Sequence, residues 1–167
     1  PVATVAQPWM ATAPRAATSN LAATRCDQSV FHRRGVTGDL TRSFVIPQAK
    51  LPAQFGLTET IGSFGRASAA TRFVEATRTA LAGCPKKDLG TRISLIENTS
   101  TRARDLTTWR LQIEISDKSS VEFLMSIIRE GDNVAQVGFV PSGTATVSDD
   151  AFVALTHRAA ERLRQLR

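Results

Sequence analysis

The sequence predicts a single α+β domain: an antiparallel sheet of about six strands, in the order ββαββββα, with helices packed on it. Three observations carry that reading. Between residues 91 and 140 strand-length segments, alternating apolar with polar or, at 120–129, apolar on both faces, are separated by short runs of turn formers. Two other stretches repeat their apolar residues at three and four, the period of an amphipathic helix. No internal repeat or second core is evident, and hairpin-length connections between the later strands make their neighbours antiparallel.

The elements follow in chain order. Residues 1–24 hold eight Ala, four Thr and three Pro without helical or strand period, and read as a linker ahead of a domain over 25–167. Trp9 is the exception, since a lone Trp in such a segment packs back onto the domain that follows. Leu40 to Ile46 alternates and stops at Pro47; after a Leu51-Pro52 turn, Phe55 to Phe64 forms a second strand, with Gly56, Gly62 and Gly65 allowing bends. Ala70, Phe73, Val74, Thr77, Leu81 and Cys84 mark a helix over about 66–82, closed by Gly83 at the C′ position and by Pro85.

Four strands come next. Thr91 to Glu97 is the first, and Leu106 to Ser116 sets Trp109, Leu111, Ile113 and Ile115 on one face. A turn at Ser116–Ser119 leads to Ser120–Arg129, which is apolar on both faces and therefore central. A second turn at Glu130–Asn133 leads to Val134–Val140. Ser148 caps a last helix with Asp149 and Asp150 in its first turn and Arg162, Arg164 and Arg167 near its end, complementing the helix dipole. Its expected buried stripe is Phe152, Leu155, Ala159, Leu163 and Leu166.

The net charge is +6, and 17 of the 21 basic residues are Arg. Such a balance invites a nucleic-acid reading, but Arg25, Arg33, Arg42, Arg66, Arg78, Arg92, Arg110 and Arg129 are spread over every element. Tyr is absent and Trp occurs twice, a poor supply for base stacking. Nucleic acid is not expected as a partner. No apolar run approaches a membrane span, so any membrane attachment is expected through an anchor upstream of residues 1–24.

Cys26 and Cys84 are the two cysteines. An isolated pair flanking two strands and a helix fits a disulfide in an oxidising compartment, and closing that loop contributes about 4 kcal/mol by chain entropy. The alternative is two buried thiols in a cytosolic protein.

Signatures of catalysis are missing: GxxxxGK[ST], GxSxG, CxxC and HExxH do not occur, and His32 and His157 are the two histidines. His157 falls off the apolar stripe of the last helix and is expected to face solvent. No carboxylate spacing supports a zinc site, and Asn98-Thr99-Ser100 reads as a polar turn. Neither catalytic activity nor a cofactor or metal is expected. The informative charges stand on apolar strand faces: Arg42 with Leu40, Phe44 and Ile46; Glu59 between Leu57 and Ile61; Arg129 beyond Val121, Phe123, Met125 and Ile127. Buried charges need partners. Glu59 with Arg42 or Arg129 is a candidate ligand-binding cluster in a cleft; structural ion pairing is the competing role.

The order Cys26-Asp27, Thr41-Arg42-Ser43-Phe44-Val45-Ile46-Pro47 and Phe55-Gly56-Leu57-Thr58-Glu59-Thr60-Ile61 carries a resemblance. It continues through Phe73-Val74, Cys84, Trp109, Ile128-Arg129-Glu130-Gly131-Asp132, Phe139-Val140-Pro141 and Phe152…Leu155…Arg158-Ala159…Leu163. Over residues 21–167 the chain resembles the PknH-like extracellular sensor domains of actinobacteria, found on receptor Ser/Thr kinases and on lipoproteins. The resemblance implies an exported, disulfide-held antiparallel sheet with a cleft, a sensing or ligand-binding role and no catalytic residues. Kinase-attached members often carry four cysteines, whereas this chain has one pair. The expected function is thus an extracytoplasmic sensor domain for a small polar molecule or cell-wall fragment. The alternative is a cytoplasmic regulatory domain fused to a transcription or sigma factor.

Denaturing alkylation of unreduced protein made in an oxidising compartment should add no alkyl group to the intact mass. Two added groups would assign Cys26 and Cys84 as free thiols and leave the cytoplasmic alternative standing.

Overall fold

In a computed structural model the described residues are 9–17, 35–46, 55–142 and 146–166. They form one eight-stranded antiparallel sheet and two helices: β1 (Met10–Ala11), β2 (Arg15–Ala16), β3 (Gly38–Val45), β4 (Gly56–Ser63), α1 (Ala67–Lys87), β5 (Thr91–Ser100), β6 (Arg104–Ser116), β7 (Ser119–Glu130), β8 (Asn133–Val140) and α2 (Asp149–Arg164). The α+β class holds; the strand number is eight rather than about six. Cys26, His32, Pro47, the Leu51-Pro52 turn and Arg167 lie outside the described residues.

The two extra strands come from the segment read as linker. β1 and β2 both pair with β3, Met10 opposite Val45 and Arg15 opposite Thr41, so the segment gains one residue on β3 between them. That slip is a bulge, and it contains Pro14, which has no N–H for a ladder. Thr12 bridges the gap, its N–H donating to the Ser43 carbonyl at 2.8 Å and its Oγ1 accepting from the Ser43 N–H at 3.1 Å. A two-residue strand on each side of a bulge is too short to show as alternation, which is why composition alone pointed to a linker.

The sheet runs β1-β3-β4-β8-β7-β6-β5, with β2 beside β1 on β3. Strands β5 to β8 form the expected meander, and β7 lies inside it with a neighbour on each side. Because every neighbouring pair is antiparallel, β4 and β5 run in the same direction and need a crossover. α1 supplies it. At 1.5 Å per residue its 21 residues span about 31 Å, more than the roughly 19 Å of four interstrand steps.

That length corrects the expected helix end. α1 runs through Gly83 and Pro85 to Lys87, and Gly83 is not at C′. Proline forfeits one backbone bond and crowds the preceding turn. Here it stands in the last turn, where Asp88 N–H still reaches the Cys84 carbonyl at 2.9 Å and Lys86 and Lys87 favour the dipole. Cys84 is fully buried and disulfide-bonded.

The helices cover opposite faces. α1 packs Ala70, Phe73, Val74 and Leu81 on Trp109, Leu111, Met125, Ile127 and Val134. α2 packs Phe152, Ala159, Ala160 and Leu163 on Leu106, Leu124, Ile128, Ala135, Val137 and Phe139. Thr156 completes the buried stripe of α2; Leu155 is half-buried, and Leu166, expected inside, is 62 % exposed beyond the helix end. Ile115 is exposed as well, because the β6–β7 hairpin runs past the edge of α1. Asn98-Thr99-Ser100 ends β5 rather than forming a turn, and the Asn98 side chain accepts from Thr107 Oγ1 at 2.9 Å.

A buried charge network closes one end of the meander. Arg129 donates from Nε to Asp105 at 2.5 Å, and its other nitrogens donate to the carbonyls of Thr101, Arg102, Ala103 and Gly131. Ser100 Oγ donates to Asp105 at 2.5 Å and Arg78 reaches Asp105 from α1 at 3.4 Å. Burial alone would raise the Asp105 carboxyl, but the Ser100 and Arg129 hydrogen bonds and the charges of Arg129 and Arg78 outweigh it and hold it below the ordinary range. Asp105→Asn should destabilise the fold by about 3–5 kcal/mol in urea unfolding, because it strands the buried Arg129 charge. A loss of only a few tenths would mean that the carbonyls alone satisfy Arg129.

Candidate functional site

The half of the sheet that α2 leaves uncovered carries a groove of about 450 Å³. Its floor is one face of β3, β4 and β8: Phe44, Leu57, Glu59, Val137 and Phe139. One wall is α2, through Ala151, Ala154, Leu155, Arg158, Ala159 and Arg162, with Val147 ahead of the helix. Trp9 closes one end.

Sequence dictates this shape locally. The groove residues of α2 recur at three and four beside the buried stripe, and alanines at 151, 154 and 159 keep that side of the helix thin. The start of α2 is fixed by Ser148, which accepts from Ala151 N–H at 3.3 Å, and by Arg110, which donates from β6 to Asp149 at 2.6 Å. Trp9 stacks on Phe55 at 5.7 Å and meets the edge of Phe139 at 6.3 Å, held there by the pairing of Met10 with Val45. Gly56 makes the close approach possible: its φ is +126°, and a Cβ there would sit 2.7 Å from the Phe44 carbonyl oxygen.

Of the three charged residues singled out in the sequence, two come together. Arg42 lies directly opposite Glu59 across β3 and β4, and Glu59 faces Val137 on its other side. Arg129 does not join them; it belongs to the buried Asp105 network on the α1 side of the sheet, a structural role. Two arginines not expected at the site, Arg162, assigned to the helix dipole, and Arg158, noted only in the family resemblance, enter it. Their signal was present as an i, i+4 pair beside a run of alanines.

The electrostatics of the groove are unbalanced. Among the described residues no carboxylate lies within ion-pair distance of Arg42, Arg158 or Arg162, and Glu59 forms no ion pair. Arg42 Nε is buried without a hydrogen-bond partner among the described residues. Burial pushes the Glu59 carboxyl above its ordinary value, and the positive charges of Arg162 and Arg42 bring it only part of the way back. No group of three or more potential metal ligands occurs among the described residues. His157 is half-exposed as expected and contacts Glu97 at 3.0 Å, outside the groove. No described helix is long and apolar enough to cross a membrane.

No protein-family model matches the chain, and neither a curated protein nor a solved structure matches it.

The raised Glu59 carboxyl has a consequence of definite sign. The folded protein holds that proton to higher pH than the unfolded chain does. Stability from this group is therefore full below the ordinary value of 4.5 and is lost as pH rises through the raised one. Glu59→Gln should raise the unfolding midpoint at pH 7 and flatten its fall between pH 4.5 and neutrality. A lower midpoint at pH 7 would show that Glu59 is a net stabilising partner of Arg42 and Arg162.

Proposed function

We propose that the chain is an extracytoplasmic, non-catalytic ligand-binding domain of a sensor, with the groove between α2 and β3-β4-β8 as its site. The groove itself carries the reading. It is concave and of the size that encloses a small molecule, in the range of about 300–1,000 Å³. Among the described residues its lining is mostly apolar, and its charged groups, Glu59, Arg158 and Arg162, have no partner within ion-pair distance. Among the described residues that lining offers a ligand apolar shape from Trp9, Phe44, Leu57 and Phe139 and charge from Glu59, Arg158 and Arg162. The disulfide at Cys84 supports the extracytoplasmic placement and weighs against the cytoplasmic regulatory alternative.

Thermal unfolding against fractions of a bacterial cell-envelope extract tests this. At least one fraction should raise the midpoint, as any ligand selective for the folded state must. Ala154→Trp, at an exposed position on the groove wall, should abolish the rise without lowering the midpoint of the unliganded protein. If no fraction acts, or if Ala154→Trp responds like the parent chain, the groove is not a ligand site.

A further inference from the structure

Resting on that reading, we propose that the groove takes a single-chain anionic amphiphile, with the hydrocarbon along Trp9, Leu57 and Phe139 and the acid head at Arg158 and Arg162.

Three independent features select this ligand. The floor is hydrocarbon and ring: half-buried Phe44 and Leu57 offer most of its surface, Val137 and Phe139 line it from the core at 3 % and 2 % exposure, and Trp9, 36 % exposed, stands at one end. A sugar or a hydrophilic peptide would lose its hydration there with few hydrogen-bond partners in return, whereas an alkyl chain gains free energy in proportion to the area removed from water. The groove is also partly open: among the described residues α2 packs mainly on β7, β8 and β6, and part of the β3–β4 face lies open beside it. An open trough suits an extended chain better than a compact ring.

The sign of the head group follows from the wall. Arg158 and Arg162 stand one helical turn apart, are exposed, and have no carboxylate within ion-pair distance among the described residues. Two guanidiniums at that spacing present several donors to one anionic head, as carboxylate or phosphate recognition requires. Among the described residues the other charges on this face are Glu59 of β4, in the floor itself, and Arg42 of β3, directly opposite it. Among the described residues that makes one acid to three bases, so a cationic head would find less attraction than an anionic one. The short Ala151 and Ala154 side chains leave the chain room to lie against the helix.

Dodecanoate is the probe, titrated below its micelle concentration and read by isothermal calorimetry and by Trp9 emission. It should bind one to one, change the emission in the parent protein, and leave emission unchanged in Trp9→Phe. Arg158→Gln with Arg162→Gln should weaken it at least about tenfold, with the unliganded protein still folded by circular dichroism and its midpoint at pH 7 slightly lower, because Arg162 helps to hold the Glu59 carboxylate. Dodecyltrimethylammonium, equal in chain length and opposite in charge, should bind much more weakly, and hexanoate should fail for want of hydrocarbon. Equal binding of the two twelve-carbon amphiphiles overturns the head-group assignment. If a disaccharide-peptide cell-wall fragment perturbs Trp9 while dodecanoate does not, the ligand class is wrong but the sensor reading survives. If neither perturbs Trp9 and no envelope fraction shifts the thermal midpoint, both fall together.

Discussion

The buried pair of Arg129 and Asp105 is the interaction on which the rest of the structure depends. Arg129 stands at the end of β7, 2 % exposed, and its five donor sites are spent on one carboxylate oxygen and four carbonyls. Those carbonyls belong to the turn between β5 and β6 and to the turn between β7 and β8, so one guanidinium ties two hairpins together. Asp105 extends the tie to α1 through Arg78, which also donates to Thr107 at 2.8 Å and Asn98 at 3.3 Å. A planar fork with five donors can satisfy such a geometry, whereas a lysine ammonium cannot. The neighbouring pair of Arg104 and Glu130 reinforces the same end of the meander.

With that end fixed, the two helices occupy opposite faces without competing for area. α1 must reach from β4 to the far edge strand β5, and its packing follows that path over β8, β7 and β5. α2 returns after β8 and seats on β7, β8 and β6. The body of α2 thus lies beside β3 and β4 with only its Arg158 and Arg162 side turned to them, and among the described residues part of the apolar face of that pair stays open. The groove is thus a product of topology: a sheet wider than the helix that covers it.

How much of this was legible follows from which physical signals survive in a linear chain. The long meander strands were visible, because alternation over eight or more residues is unambiguous and the turn at Gly131, with φ of +64°, needs the glycine it has. α2 was visible through its cap and its charges. β1 and β2 were not, since two residues carry no period, yet Trp9 betrayed the segment because a large ring must be buried against something. The length of α1 was misread for a local reason: Gly83 and Pro85 are stop signals only where nothing outside the helix favours another turn. The charged residues of the site were half legible. Glu59 and Arg42 stood out as charges on apolar faces, whereas Arg158 and Arg162 looked like ordinary solvated charges until the fold put them over β4. Arg129 drew notice by the same logic as Glu59 and proved to be the structural clamp, since a lone charge on an apolar strand marks burial without saying for what.

The pairing of β4 with β8 has a kinetic meaning. Thr58 and Gly138, linked across it at 3.4 Å, are 80 residues apart in the chain. Every other long pairing in the sheet joins strands adjacent in sequence. Hairpins close quickly because little chain entropy is lost before their contacts form, whereas a contact across 80 residues waits for the intervening meander and α1. The groove floor is built from these two strands together with β3. Its closure is the costliest in chain entropy among the long pairings of the sheet, and the meander alone lacks the β3 and β4 side of the groove.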